Sequence, residues 1–174
     1  MAGNLEFIKS ASTSSAVSEL KVENCFSDKY DVYKVVLKVD SVTQEAGTST
    51  RLVDSSNNVI SDAEYDFAYE FMRVGTSSYS SQGYTGEDKW NYTMYNEGSV
   101  GGFFVMYVYN PYDSSSYTFA NWQMATHYLA SSTSVLMVRK AIGVHKVAEQ
   151  ITGIAAIQAQ TRLDGATLSV FGVK

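Results

Sequence analysis

The two histidines are the side chains best suited to acid–base chemistry or metal binding, because imidazole titrates near neutral pH and its nitrogen ligates transition metals. His127 and His145 stand far apart in the chain. We find no carboxylate near them at a spacing that would complete a metal site, so we expect each to lie at the surface or at a strand end. The sequence therefore predicts no metal centre.

Three alternating acidic residues, Asp62, Glu64 and Asp66, could supply the oxygen ligands that Ca²⁺ prefers. However, no glycine stands where a calcium loop turns, and no bidentate acid follows at the right distance. We interpret them as the solvated face of a strand. A carboxylate pair for glycoside hydrolysis can combine residues from distant parts of a chain, and nothing here marks such a pair.

Sequence motifs for covalent catalysis and phosphate binding are missing. The chain has no Gly-x-Ser-x-Gly, no Gly-x-x-x-x-Gly-Lys-Ser and no Gly-x-Gly-x-x-Gly. Its single cysteine, Cys25, excludes an intrachain disulfide and a cysteine-based zinc site, and we expect a buried thiol. The sequence thus predicts no catalytic residue and no cofactor.

Aromatic side chains in polar segments are the best indication of binding. The chain contains 13 Tyr, and rings of Tyr and Trp stack on sugars or pack against partner proteins. The alternative is that these rings pack the sheets and their rims, since Tyr favours strands. The candidate contacts with a partner or a glycan are Tyr79, Tyr84, Trp90, Tyr112 and Tyr117.

The elements that would position these side chains are strands, because apolar and polar residues alternate along most of the chain. Residues 32–39 and 64–73 show the pattern most clearly. Residues 75–88, rich in Ser, Gly and Tyr, are predicted to form a long loop of the kind that carries binding. The apolar run at 102–109 predicts a central strand covered on both faces.

About ten or eleven short strands, separated by turn signals and without helical periodicity, predict an all-β protein. The fold class we expect is an antiparallel β-sandwich, jelly-roll-like, with about ten strands. We see no internal repeat and no linker, so residues 1–174 are predicted to form a single β-sandwich domain.

Charge and hydropathy limit the partners. Charged residues make up 18% of the chain and the net charge is −5, which argues against nucleic acid and anionic membranes. No apolar run reaches the roughly 18 residues that span a bilayer. Residues 1–6 lack the basic and apolar regions of a signal peptide, so we expect synthesis on the cytoplasmic side.

The C-terminal residues carry a resemblance to a known group of proteins. Ile151-Thr152-Gly153-Ile154, followed at the chain end by Gly165-Ala166-Thr167-Leu168-Ser169-Val170-Phe171-Gly172-Val173-Lys174, is similar to the ending of many bacteriophage tail and virion proteins. Ala166 departs from the Ser or Thr common there. Residues 110–119 also resemble segments of marine and cyanobacterial phage structural proteins. The resemblance implies a β-sandwich close to a jelly roll, usually oligomeric and without catalytic residues.

Three hypotheses follow. The leading one is a non-enzymatic virion structural protein on the particle exterior, either a capsid decoration (cement) protein or a small tail or fibre component. It would assemble in the host cytoplasm, contact major capsid or tail proteins, and form a homotrimer, in keeping with the symmetry of capsids and fibres. The second is a carbohydrate- or host-receptor-binding tail fibre module, using the aromatic residues above. The third is a jelly-roll enzyme such as a glycan depolymerase.

Overall fold

The computed structural model describes residues 4–41, 46–74, 78–96, 101–130, 133–158 and 163–174, which form twelve strands and contain no helix. The strands are β1 Leu5–Ser12, β2 Glu19–Val22, β3 Val32–Ser41, β4 Ala46–Asp54, β5 Tyr65–Arg73, β6 Ser78–Glu87, β7 Trp90–Asn96, β8 Gly102–Tyr109, β9 Thr118–Ala130, β10 Thr133–His145, β11 Ile151–Ile157 and β12 Asp164–Val173. The predicted all-β sandwich is confirmed, with twelve strands instead of about ten. No described segment forms a helix that could cross a membrane.

The alternation in the sequence produces these strands because successive side chains point to opposite faces of a sheet. In β3, for example, Tyr33, Val35 and Leu37 are buried, while Lys34 and Val36 between them are half-buried. β-Branched and aromatic residues favour the extended backbone and pack on the pleated surface. The pattern therefore determines both the strand and the face that it buries.

The strands form two antiparallel sheets. The eight-stranded sheet has the order β1-β12-β3-β8-β9-β10-β5-β6, and the four-stranded sheet has the order β2-β11-β4-β7. Pairing is nested, since β1 pairs with β12, β2 with β11, β3 with β8 and β4 with β7. Nested pairing of the first four strands of an eight-strand set with its last four is the jelly-roll topology.

Two antiparallel pairs are added to this jelly roll. The pair β5–β6 stands between β4 and β7 in the chain, and the pair β9–β10 stands between β8 and β11. Both extend the larger sheet past β8, where β10 pairs with β9 on one side and β5 on the other. We call these four strands the extension, and β1, β12, β3 and β8 the jelly-roll part of the sheet.

The core lies between the sheets. Trp90 of β7 and Trp122 of β9 are fully buried, with ring centroids 6.0 Å apart, so the smaller sheet reaches the beginning of the extension. In β12 Leu168 and Val170 are buried, whereas Phe171 is half-buried on the opposite face. Cys25 is also buried, which confirms the sequence prediction.

Two predictions about strands and loops were wrong. Most of the expected loop at 75–88 is strand β6, because Ser, Gly and Tyr pair well at the edge of a sheet whose neighbour, β5, supplies the backbone partners. Its first residues, 75–77, lie outside the described part. Strand β8 is central but covered on one face only, and Phe103 is 51% exposed on the other face.

Candidate functional site

The five aromatic residues predicted as contacts do not assemble into one site. Tyr79 is 61% exposed on one face of β6, whereas Tyr84 is half-buried on the opposite face of that strand. Tyr112 is half-buried and Tyr117 is exposed, both in the turn segment between β8 and β9. These four side chains point to at least three separate surfaces.

Trp90 was wrong as a contact residue, since none of its surface is exposed. It is the first residue of β7, and its ring meets Tyr65 edge-on at 5.4 Å as well as Trp122. The physical reason is position: a large ring at the start of a strand facing the other sheet is the side chain that fills the space between sheets. Because Trp90 stands between the polar residues Lys89 and Asn91, the sequence did not indicate that its ring points inward.

The first candidate surface is the outer face of β8 and the extension, which we call the outer trough. Cross-strand pairs align its side chains in rows, such as Met72 with Tyr79 and with Val138. Its exposed large apolar side chains are Met72, Tyr79, Phe103, Phe119, Leu136 and Ile142. Three cavities of about 610, 630 and 470 Å³ lie side by side along it.

Polar groups are few in the outer trough, and its two charged side chains, Glu70 and Lys140, share one row. Lys140 pairs with Glu70 on one side and with Gln123 on the other. A hydrogen bond with Glu70 raises the pKa of Tyr79 above its usual value, and Asn121 donates to the Tyr109 hydroxyl at 2.7 Å. An apolar surface with a short polar row has the composition of the buried centre of a protein interface.

The second candidate surface lies on the inner side of the extension, where the large sheet extends past the edge strand β7. We call it the arginine cleft. Its cavity measures about 240 Å³ and is lined by Tyr69, Phe71, Arg73, Gln82, Tyr92, Tyr95, Met137 and Arg139. Arg139 is 7% exposed, and its guanidinium carbon lies 4.2 Å from the centre of the Tyr69 ring and 5.5 Å from that of Tyr92.

A β-bulge in β7 shapes this cleft. Thr48 pairs with Met94 and Thr50 with Trp90, so residues 91–93 stand opposite Ser49 alone. Within the bulge Tyr92 has a φ of 54°, which is rare for a bulky residue. Its carbonyl accepts a 2.6 Å hydrogen bond from Nη1 of Arg139. Bulges commonly redirect a side chain or a carbonyl next to a functional site.

Gly47 makes room for the ring of Tyr92. A Cβ atom at position 47 would lie 3.0 Å from Cδ1 of Tyr92, closer than ordinary contact allows. The ring therefore lies directly on the glycine backbone of β4 and remains 40% exposed. Together the bulge and the glycine place one aromatic ring between the smaller sheet and Arg139.

On the opposite wall two phenols converge on one amide. The hydroxyls of Tyr69 and Tyr84 both donate to Oε1 of Gln82, the former at 2.6 Å. Burial raises the pKa of Tyr69 to about 12. The Tyr69 phenol therefore stays protonated at neutral pH. The amide NH₂ of Gln82, with two donors, lies on the other side of that amide group.

The electrostatics of the arginine cleft are unbalanced. Burial lowers the pKa of Arg139, and the positive charge of Arg73 adds to that effect. An arginine nevertheless remains protonated at neutral pH. Nε of Arg139 has no hydrogen-bond partner, and no salt bridge among the described residues includes Arg139.

The third candidate is a cluster of Glu64, His145 and Glu149, whose ligand atoms lie within 4.8 Å of one another. Nε2 of His145 is 2.9 Å from Oε1 of Glu149 and 3.8 Å from Oε2 of Glu64. One imidazole and two carboxylates could hold a divalent cation. Without a cation, an Nε2–H imidazole would donate to Glu149, while Nδ1 of His145 is buried without a hydrogen-bond partner.

This cluster corrects the expectation for the histidines. His145 ends β10, as predicted, but it is fully buried, and Glu149 four residues later supplies the carboxylate that the sequence analysis missed. Glu64 belongs to this cluster and not to a solvated acidic face. His127, by contrast, is exposed as predicted.

Arg139 was also missed, although the sequence contained a signal for it. In the run Met137-Val138-Arg139-Lys140-Ala141, alternation puts Arg139 on the same face as Met137 and Ala141, which is the buried face. A charged residue at an inward position of a regular strand is an exception that deserves a functional hypothesis. The adjacent Lys140, which faces outward, made the pair look like an ordinary polar interruption.

Comparison with known proteins identifies no family. No family model matches the chain, and no curated protein matches it. Among solved structures, the chain is similar to an endo-beta-1,4-glucuronan lyase from the fungus Trichoderma reesei, at 7% identity over 95% of this chain and 79% of that one, with a TM-score of 0.28. A likeness this low carries no argument about fold or activity.

Proposed function

We propose that this chain is a non-enzymatic structural protein of a bacteriophage particle, exposed on the particle exterior. Support comes from the C-terminal sequence, which resembles the ending of virion proteins, and from the jelly-roll pairing of the strand that those residues form. The last residues lie inside the sheet between β1 and β3, so the chain end is held firmly. Such a protein is either a capsid decoration protein or a small tail or fibre component.

The observation that carries the proposal is the outer trough. Phe119 and Ile142 at its centre are 50% and 65% exposed, and cross-strand neighbours add further apolar surface. Contiguous apolar surface of this kind marks a contact with another protein. We propose that the trough packs against other copies of this chain in a homotrimer, because capsid three-fold positions and fibres both present that symmetry.

The polar row supports contact between copies. Glu70 and Lys140 stand next to each other on adjacent strands, so the trough carries both signs of charge at its centre. Around a three-fold axis each copy presents one part of this surface to a different part of the next copy, so Glu70 of one copy can lie against Lys140 of its neighbour. Ile142 and Ala68, in the next row, would be covered in the same contact.

Electron cryomicroscopy of purified phage particles, with and without this protein, tests the virion role. We expect trimeric density at capsid three-fold positions for a decoration protein, or density at the tail for a fibre component. Particles that contain none of this chain by mass spectrometry and by imaging would contradict the proposal. Cleavage of a host-surface polysaccharide by the purified chain would contradict the non-enzymatic part of it.

Glycan binding is the second candidate function, and the arginine cleft is the observation that favours it. The cleft combines the rings of Tyr69 and Tyr92 with the side-chain donors of Gln82 and Arg139. Sugar sites pair aromatic rings, which stack on the faces of the sugar, with polar groups that bind its hydroxyls. A glycan array probed with the full chain tests this role, and silence on every glycan would remove it.

A further inference from the structure

The arginine cleft contains a positive charge that the described residues do not neutralise. Arg139 is almost completely buried, yet its guanidinium donates a hydrogen bond to an uncharged group, the backbone carbonyl of Tyr92. By contrast, the half-buried Arg51 has an acidic partner, Asp88. Burying a charge without a counterion is costly.

The aromatic rings compensate for only part of this cost. The face of Tyr69 is close to the guanidinium, and Tyr92 and Phe71 lie further away at 5.5 and 5.8 Å. Such contacts are attractive, but each is weaker than the hydration that a buried guanidinium loses. We therefore expect the guanidinium of Arg139 to bind an anionic ligand that enters the cleft from solvent.

The cavity beside Arg139 limits what that anion can be. Its volume of about 240 Å³ is below the range of roughly 300–1,000 Å³ that holds drug-sized ligands, so it suits a single ring. A guanidinium binds a carboxylate through two parallel hydrogen bonds. The Tyr92 ring, which is 40% exposed, offers a flat surface for the face of a sugar.

We propose that the arginine cleft binds one carboxylate-bearing sugar residue, of the uronic or sialic acid type, at an exposed position of an acidic glycan. Arg139 is the anchor for the carboxylate, Tyr92 stacks on the ring, and the Gln82 amide donates to a hydroxyl. This inference rests on glycan binding, the second candidate function, and does not depend on the trimer. It adds that the glycan is acidic, which the second candidate function does not specify.

Titration calorimetry of the full chain with methyl glucuronide, methyl glucoside and sulfate tests the ligand class. We expect the glucuronide to bind at least about tenfold more tightly than the glucoside, because only the glucuronide supplies the bidentate partner of Arg139. Sulfate should bind more weakly than the glucuronide, because it makes no ring contact.

Three outcomes would overturn the inference in distinguishable ways. Equal binding of glucuronide and glucoside would remove the acidic ligand and leave glycan binding intact. Sulfate binding as tight as that of the glucuronide would reduce the cleft to a simple anion site. Binding of none of the three, together with a silent glycan array, would remove glycan binding as well.

Two variants test whether Arg139 binds the carboxylate of the glucuronide. Arg139→Met should weaken glucuronide binding at least about tenfold, while the melting temperature stays the same or rises, since a buried unpaired charge does not favour folding. The matched control is Arg51→Met, which removes an arginine paired with Asp88 and should keep glucuronide binding. Unchanged binding by Arg139→Met would overturn the assignment.

A further variant keeps the proposal testable if Arg139→Met does not fold. Tyr92→Asn removes the stacking ring but retains the backbone carbonyl, and Asn tolerates the positive φ at this position. We expect it to fold and to lose binding of the glucuronide. If Tyr92→Asn binds the glucuronide as the natural chain does, the cleft is not the site.

Discussion

The two ends of the eight-stranded sheet have the same alternation of side chains but different surfaces. On β3 and β12 the outward residues include Lys34, Lys38, Thr167 and Ser169, which form an ordinary solvated face. On the extension the outward residues include Phe119 and Ile142, and the inward residues include Arg139. The extension thus places apolar groups outside and a charge inside.

This difference shows where selection for function can be separated from selection for folding. On β3 and β12 the alternation of buried apolar and outward polar residues agrees with the stability of the fold, as expected of a minimally frustrated region. In the extension exposed rings and a buried guanidinium add little to stability or oppose it. Local departures from the rules of folding are expected at functional surfaces, so we place both proposed contacts there.

The largest expected effect compares one glycine from each end of the sheet. A Cβ at Gly172 in β12 would lie 2.4 Å from Cε2 of Tyr30, whereas a Cβ at Gly83 in β6 would meet nothing within 4 Å. Gly172→Val should lower the free energy of unfolding by about 3 kcal/mol or more, because the buried Tyr30 ring cannot move aside freely. Gly83→Val should change it by less than about 0.5 kcal/mol.

Urea denaturation followed by tryptophan fluorescence measures both variants. Trp90 and Trp122 are buried between the sheets and will report the loss of the core. Equal destabilisation by the two substitutions would contradict the claim that Gly172 is tightly packed and Gly83 is not.

A smaller and more local effect concerns thiol reactivity. Cys25, beside the jelly-roll part, is 2% exposed, and burial raises the pKa of its thiol to about 12. At pH 8 it should react with iodoacetamide at least about 100-fold more slowly than a cysteine introduced by Lys38→Cys, on the solvated face of β3, in a Cys25→Ser background, because only thiolate reacts. Mass spectrometry of timed samples measures the two rates, and comparable rates would show that the jelly-roll part opens readily.

The smallest effect is the acid sensitivity of the first strand. Hydrogen bonds from Lys29, Tyr30 and Lys174 lower the pKa of Glu6 from 4.5 to about 2. Because the folded-state pKa is depressed, the stabilisation is present above pH 4.5 and is lost as the pH falls toward 2. The variant Glu6→Gln should flatten the decline of the melting temperature over this window; an unchanged decline would mean that Glu6 is not held in this way.

Much of the fold could be predicted from the sequence, because the side-chain period identifies strands and their buried faces. The strand predicted over residues 64–73, which is β5 at Tyr65–Arg73, is an example. The arrangement of the extension could not be predicted, since pairing between distant strands leaves no local mark. Strand β6 was missed for a related reason: its Ser, Gly and Tyr residues take their structure from the neighbouring strand β5.

The candidate sites were less predictable than the fold. The aromatic residues were recognised as a group, but the direction of each ring depends on its strand, which put Trp90 in the core and Tyr84 beside the arginine cleft. Arg139 depends on a bulge in another sheet that turns the carbonyl of Tyr92 toward it. Glu64 and His145 come together only through the register of β5 with β10.

Sedimentation velocity of the purified chain tests most directly the claim that the outer trough is a contact surface. We predict a trimer at protein concentrations on the order of 100 µM, and a folded monomer for the double variant Phe119→Ser/Ile142→Ser, with a melting temperature lower only by the loss of assembly. The matched control, Lys34→Ser/Lys38→Ser on the outer face of β3, should remain a trimer. A natural chain that sediments as a monomer at this concentration, or a double variant that still assembles, would contradict the account.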